Sequence, residues 1–173
     1  MAALSTLLTL ADSRLPTGGH VHSGGVEEAV TSRLVIDLGT LEAYLRRRIR
    51  TSGLVTASIA AAVHRGDLTE ADADAETDAR TPAPAARQAS RAQGRGLLRL
   101  AKRVWPDPSW DALGPRPHLA VMAGRVGAVS GLAPDQTALS LVYPTMTNSA
   151  TAAQPLLALD PADVAALTFR LGE

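Results

Sequence analysis

The stretch Ala85-Ala86-Arg87-Gln88-Ala89-Ser90-Arg91-Ala92-Gln93-Gly94-Arg95-Gly96-Leu97-Leu98-Arg99-Leu100-Ala101-Lys102-Arg103-Val104 decides the fold. Arg87, Arg91, Arg95, Arg99 and Arg103 recur every four residues and draw a slowly drifting ridge along a helix, while Leu97, Leu98, Leu100, Ala101 and Val104 supply apolar surface. Helical spacing continues on both sides. Nowhere does a run of β-branched or aromatic residues alternate long enough for a sheet, so the expectation is an all-α, single compact helical domain of about seven to nine helices over residues 1–173.

Upstream, Thr40 to Arg50 places Leu41, Tyr44, Leu45 and Ile49 on one face, with Arg46, Arg47, Arg48 and Arg50 mostly opposite. Leu54 to His64 follows Gly53, and Gly66 suits its C-terminal stop. Thr69 and Asp72 open a short acidic helix that Pro82 and Pro84 end. Downstream, His118 to Ser130 is helical between Pro117 and Gly131, and its Ala120, Gly124 and Ala128 form a small-residue stripe for close helix approach. A helix from Asp135 towards Ala153 should be interrupted or kinked at Pro144, and Asp160 with Pro161 opens the last one.

The 17 Lys+Arg balance 17 Asp+Glu, and the aromatics are only Tyr44, Trp105, Trp110, Tyr143 and Phe169, so small aliphatics must build the core. The absence of cysteine excludes a disulfide framework, thiolate metal sites and a cysteine nucleophile. Lys102 is the one lysine, which argues against lysine chemistry. Met1 to Leu15 lacks the basic region of a secretory signal, and the apolar stretch from Leu119 to Leu132 is broken by Arg125, so a soluble cytoplasmic protein without membrane association is expected.

Neutrality conceals a segregation. Asp67, Glu70, Asp72, Asp74, Glu76 and Asp78 form one block, and the arginine ridge forms the next. The ridge reads either as an electrostatic binding face or as a solvated helix packed beside its acidic neighbour. Nucleic acid is the less suited partner, because no aromatics interleave with the arginines and the protein is neutral. The acidic alternation fails as a calcium loop, since Thr77 and Ala83 stand where the turn glycine and bidentate carboxylate belong; a solvated helix face is the reading there.

The loop Pro16-Thr17-Gly18-Gly19-His20-Val21-His22-Ser23-Gly24-Gly25 brackets His20 and His22 with glycines, so both imidazoles are candidate ligands for nickel or zinc, with a third ligand needed from Asp12, Glu27 or a second subunit. The alternative is a structural turn whose polar side chains cap a helix beginning near Gly25. No phosphate loop, Gly-x-Ser-x-Gly elbow or His-Glu-x-x-His is present, and Ser23 beside His22 does not make a triad.

The segment Leu7 to Gly19, with Leu-Ala-Asp-Ser-Arg-Leu-Pro-Thr-Gly-Gly at 10–19, followed by His22-Ser23-Gly24-Gly25-Val26-Glu27, resembles the N-terminal signature of the urease accessory protein UreF family. Arg87-Gln88-Ala89-Ser90, Gly94-Arg95 and Leu97-Leu98 resemble the family's central helix, and His118 with Gly124, Gly131 and Leu132 its later small-residue helix. The resemblance implies an all-α, non-enzymatic maturation factor: a homodimer that binds a UreD/UreH-type accessory protein, recruits a UreG-type GTPase and modulates its GTP hydrolysis, and so acts as a scaffold delivering nickel to apo-urease. No tightly bound cofactor is expected, nickel being cargo in transit. Candidate partner-binding residues are Pro16, Gly18, Gly19, His22, Ser23, Gly24 and Glu27 in the loop and Arg87, Ser90, Arg91 and Arg95 in the long helix; His20 and His22 are the candidate metal ligands. The alternative function is a helical nucleic-acid-binding or regulatory module using the Arg87 to Arg103 ridge.

The chain departs from the family pattern in places. Val21 stands where many relatives have an aromatic residue, and Ala85 where a glutamate is common. Pro155 to Pro161 corresponds to the family's Arg-Leu-x-Pro-Leu-Gly-Gln segment without its arginine and glutamine, which puts GTPase recruitment in question. The family's C-terminal helix and tail are expected to be missing after Glu173.

Overall fold

The computed structural model describes residues 2–19 and 22–172, and among them there is no strand. The helices are α1 (Ala2–Ala11), α2 (Val26–Thr31), α3 (Leu38–Arg48), α4 (Leu54–Arg65), α5 (Glu70–Ala79), α6 (Pro84–Val104), α7 (Leu119–Val129), α8 (Pro134–Leu156) and α9 (Pro161–Leu171). The all-α expectation holds, and no helix among the described residues is long and apolar enough to cross a membrane.

Local chemistry sets most helix starts. Asp37 accepts the Thr40 N–H at 2.8 Å while the Thr40 hydroxyl accepts the Asp37 N–H at 3.0 Å, a reciprocal box that opens α3. Thr69 accepts the Asp72 N–H at 3.1 Å to open α5, and Asp160 accepts that of Ala162 at 2.7 Å to open α9. Pro84, Pro134 and Pro161 occupy first-turn positions, where a missing N–H costs nothing. Gly66 ends α4 with φ 76°, the left-handed conformation expected of it.

Two helices differ from expectation. Gly53 does not separate α3 from α4: Ile49–Gly53 winds as a π-helical turn, and the two helices run on as one rod. Likewise α8 passes through both Pro144 and Pro155 rather than being interrupted. Hydroxyls near Pro144 turn back onto their own helix, with Thr145 Oγ1 donating to the Leu141 carbonyl at 2.8 Å and Ser140 Oγ to that of Thr137 at 2.8 Å. The packing of α8 on α1, α2, α3, α4, α7 and α9 holds the helix through the prolines.

The core lies where α4, α7 and α8 meet. Gly124 of α7 sits so close to α4 that a Cβ there would lie 2.6 Å from the Ala60 carbonyl oxygen. The expected small-residue stripe is therefore present at Ala120 and Gly124, but Ala128 is exposed, and Gly127 takes its place by facing Thr137 of α8. One apolar cluster joins Val26, Leu41, Leu45, Ala153 and Leu167 across α2, α3, α8 and α9; another joins Leu97, Leu98, Met122 and Val126 to Trp110. Trp110 is buried with its indole N–H donating to the Trp105 carbonyl at 2.6 Å, and Arg125 lies over its ring.

Adding a methyl group at a close helix crossing should therefore cost stability. Gly124→Ala is expected to lower the unfolding free energy by about 1–3 kcal/mol, because backbone must move. Gly39→Ala, whose Cβ meets nothing nearer than Asp37 Oδ1 at 3.6 Å, should be neutral or gain up to about 0.5 kcal/mol. Chemical denaturation of the two variants compares them directly.

Candidate functional site

Three helices hold the glycine-rich loop. Tyr44 of α3 donates its hydroxyl to the Gly24 carbonyl at 2.8 Å, and the Arg48 guanidinium donates to the same oxygen. From α8, Ser149 Oγ donates to the Ser23 carbonyl at 3.0 Å and Asn148 Nδ2 to that of Gly19 at 3.4 Å. Gly24 is required twice over: its φ is 69°, and a Cβ would lie 2.6 Å from Arg48 Nη2. On the α6 side, Gly96 lets the loop's backbone approach, since a Cβ would stand 2.8 Å from the Thr17 Cα and 3.2 Å from the Pro16 carbonyl oxygen.

Among the described residues, the loop's polar side chains do not cap the following helix. Gly25 is the N-cap of α2, and among the described residues no side chain bonds to its first turn. Gly18 adopts φ 80°, Glu27 is exposed in the first turn of α2, and His22 lies half-buried on the loop's inner side. His20, the other half of the metal pair, lies outside the described residues. Asp12, one of the suggested further ligands, is paired with Arg14 at 2.7 Å; hydrogen bonds from that residue hold the Asp12 carboxyl down at about 2.

The loop, α4, α6 and α8 together border an open cleft of about 920 Å³. Its walls are largely aliphatic, with Leu97, Leu119 and Leu141 among them, while Arg48, Gln93, Asn148 and Ser149 bring polar atoms to it.

Behind the cleft sits a second constellation, around fully buried His118. Its Nδ1 pairs with Ser90 Oγ at 2.9 Å, its Nε2 with Asp78 Oδ1 at 2.9 Å, and its backbone N–H donates to Asp74 Oδ1 at 3.0 Å. Because a carboxylate only accepts, Nε2 carries a proton. Arg91 bridges the two carboxylates with Nη2, 2.8 Å from Asp74 and 2.6 Å from Asp78, and gives Nη1 to the Arg116 carbonyl at 2.7 Å. The His118 and Arg91 hydrogen bonds hold the Asp78 carboxyl below the usual carboxylate range. Asp74, Asp78 and His118 bring one donor atom each within 4.8 Å of one another, but Arg91 already occupies the space between the carboxylates where a cation would sit. Asp74 and Asp78 are thus paired as well as partly solvated, which the solvated reading of the acidic helix does not include.

The arginine ridge divides. Arg87 donates to the carbonyls of Thr81 at 2.6 Å and Pro82 at 3.0 Å, and Arg91 belongs to the His118 network. Arg95, Arg99 and Arg103 are exposed, with no ion pair among the described residues. The sequence places Asp74 and Asp78 in an acidic block beside the arginine ridge, but does not tell which of its carboxylates meet Arg91 and His118, although these two share the spacing of four that puts both on one helical face. Tyr44, Arg48, Asn148 and Ser149 carried no local signal at all, since each acts on a loop distant in sequence.

Fold and site together define an all-α protein in which polar side chains lace helices to a glycine loop beside an open, mostly apolar cleft. The UreF family model matches residues 35–172. Over 173 residues the chain is 73% identical to the urease accessory protein UreF of Mycobacterium bovis and 72% identical to that of Mycobacterium tuberculosis, each alignment covering 100% of this chain and 82% of the relative. The urease accessory protein UreF of Mycolicibacterium vanbaalenii is 75% identical over 174 aligned positions, 99% of this chain and 81% of the relative. The chain belongs to the UreF family.

The depressed Asp78 carboxyl has a pH signature. A group whose folded value lies below its unfolded value of about 3.9 stabilises fully above that pH, and the contribution vanishes as pH falls through the folded value. Thermal melts should therefore show wild type more stable than Asp78→Asn at pH 6, with the gap closing below about pH 4. A gap that persists undiminished in acid would show that the charge of Asp78 contributes nothing.

Proposed function

We propose that this chain is a urease accessory protein that works without catalysis, as a scaffold in nickel delivery to apo-urease. The observation that carries the reading is its 72–75% identity, across essentially its whole length, to proteins named urease accessory protein UreF. In this reading the chain is a cytoplasmic homodimer that bridges a UreD/UreH-type protein and a UreG-type GTPase and modulates GTP hydrolysis. The structure supports a scaffold by what it does with its polar residues. His118, Ser90, Asp78 and Arg91 are engaged with one another, and the glycine loop is fixed in place, so surfaces are presented in a set geometry.

Two surfaces suit partners. One is the loop with its cleft, containing the candidate residues Pro16, Gly18, Gly19, His22, Ser23 and Gly24. The other is the outward part of α6, where Arg95, Arg99 and Arg103 suit an acidic protein face. Arg87, Ser90 and Arg91 act from beneath by fixing how α6 is set. The segment corresponding to the family's GTPase-facing stretch forms the α8–α9 turn, where Ala158 adopts φ 51° and Asp160 caps α9. The nucleic-acid alternative loses Arg87 and Arg91, whose guanidinium groups are engaged internally.

Co-expression with the urease subunits and the other maturation proteins tests the role. Nickel-dependent urease activity should fall to background without this chain. The triple reversal Arg95→Glu, Arg99→Glu, Arg103→Glu should reduce both activation and capture of maturation partners by about tenfold or more, with unchanged helicity. Full activation in the absence of the chain would end the scaffold reading. For the cargo, nickel titration should give weaker binding for His20→Ala and His22→Ala than for wild type, and equal affinities would remove the loop as a nickel contact.

A further inference from the structure

We propose that the cleft is a docking groove for a peptide segment carrying one carboxylate between aliphatic side chains, and that Arg48 is the residue that binds the carboxylate. The groove is defined by the cleft's own residues, whichever maturation proteins the chain meets.

Arg48 reaches from α3 to the loop and lines the cleft. One guanidinium nitrogen donates to the Gly24 carbonyl, but Nε is buried with no hydrogen-bond partner among the described residues. No carboxylate among the described residues forms an ion pair with it. The other charged groups on the cleft are already matched: Asp12 with Arg14 at 2.7 Å, and Arg80 with Glu76 at 2.6 Å. Arg48 is thus a half-buried guanidinium without a carboxylate partner among the described residues, which leaves it open to a counter-charge brought by a ligand. A carboxylate fits the planar guanidinium fork, and the remaining N–H groups set its orientation.

The rest of the groove says what surrounds that carboxylate. A volume of about 920 Å³ is far larger than an inorganic anion needs. Its walls of Leu97, Leu119, Leu141 and Val55 offer contact to aliphatic side chains, which a free anion leaves unused. Gln93 lines the same cleft and makes no hydrogen bond among the described residues, so its amide is available to a peptide backbone. Because α3, α6 and α8 fix the walls and the loop, the groove exists before any partner arrives, which limits the ordering cost of binding.

Selection of a random dodecapeptide phage library on the immobilised full chain provides the test. The selected peptides should share one Asp or Glu flanked by aliphatic residues. Synthetic copies should lose about tenfold or more in affinity when that residue becomes Asn or Gln, and likewise on the Arg48→Gln protein. Ala86→Trp, at an exposed position on the cleft's edge, should block binding, and Arg50→Gln, exposed and outside the cleft, should leave it unchanged. Circular-dichroism melts check that the variants fold, and the swaps made in the peptide need no folded variant. The proposal is overturned if no acidic consensus emerges, if the peptide's carboxylate is dispensable, or if Ala86→Trp binds normally. Equal competition by acetate or inorganic phosphate would also overturn it, by reducing the site to one for small anions.

Discussion

His118 is buried without exposure, and its backbone N–H and both ring nitrogens are met from other helices: the N–H by Asp74, Nε2 by Asp78 and Nδ1 by Ser90. Three helices are therefore tied at one residue. The tie is possible only because Gly94, one turn beyond Ser90 on the same face of α6, has no side chain. A Cβ there would lie 2.1 Å from the Pro117 carbonyl oxygen, and His118 would be held away from its partners. Ser90 supplies a hydroxyl and Gly94 supplies the room to reach it. Leaving any one buried group of this network unpaired costs about 1–3 kcal/mol, a sizeable share of a domain's net stability.

That tie sets the position of α6. With Gly94 against the start of α7, Gly96 faces the loop at Thr17, Leu97 lines the cleft, and Arg95 and Arg99 face outward. The loop is then closed from the opposite side by Tyr44, Arg48 and Ser149, so its conformation depends on α3 and α8 as well. Neither side fixes the loop alone.

Helix existence was legible in the sequence wherever period and caps agreed. The span Ala85 to Val104 is observed as Pro84–Val104, and the openings at Thr69 and Asp160 use the side chains expected of them. Breaks were less legible, because Pro144 and Gly53 carry local penalties that burial on α8 and a π-helical turn at 49–53 override. α1 is not legible as a helix in the sequence, where Met1 to Leu15 offers a short apolar stretch without cap signals. The glycine loop was legible as a special segment from its composition, but what holds it was not: Tyr44 and Arg48 lie 20 and 24 residues from Gly24, and Ser149 lies 126 residues from Ser23. Only the fold brings them together.

The division of the arginine ridge has a simple geometric cause. Each step of four residues rotates the ridge by about 40°, so Arg103 is turned about 160° from Arg87. A partner helix that neutralises the first arginines cannot reach the last. Length compounds the effect: α5 has 10 residues and α6 has 21, so α5 spans about 15 Å beside a helix of about 32 Å. Within the ridge the acidic block reaches Arg91 and, more loosely, Arg87, whose Nε lies 3.8 Å from Asp78, while Asp67, Glu70 and Glu76 pair with Arg65, Arg125 and Arg80. A chain with 17 positive and 17 negative side chains thus still presents an unneutralised basic edge, because helix geometry and not the charge count decides which arginines meet a carboxylate.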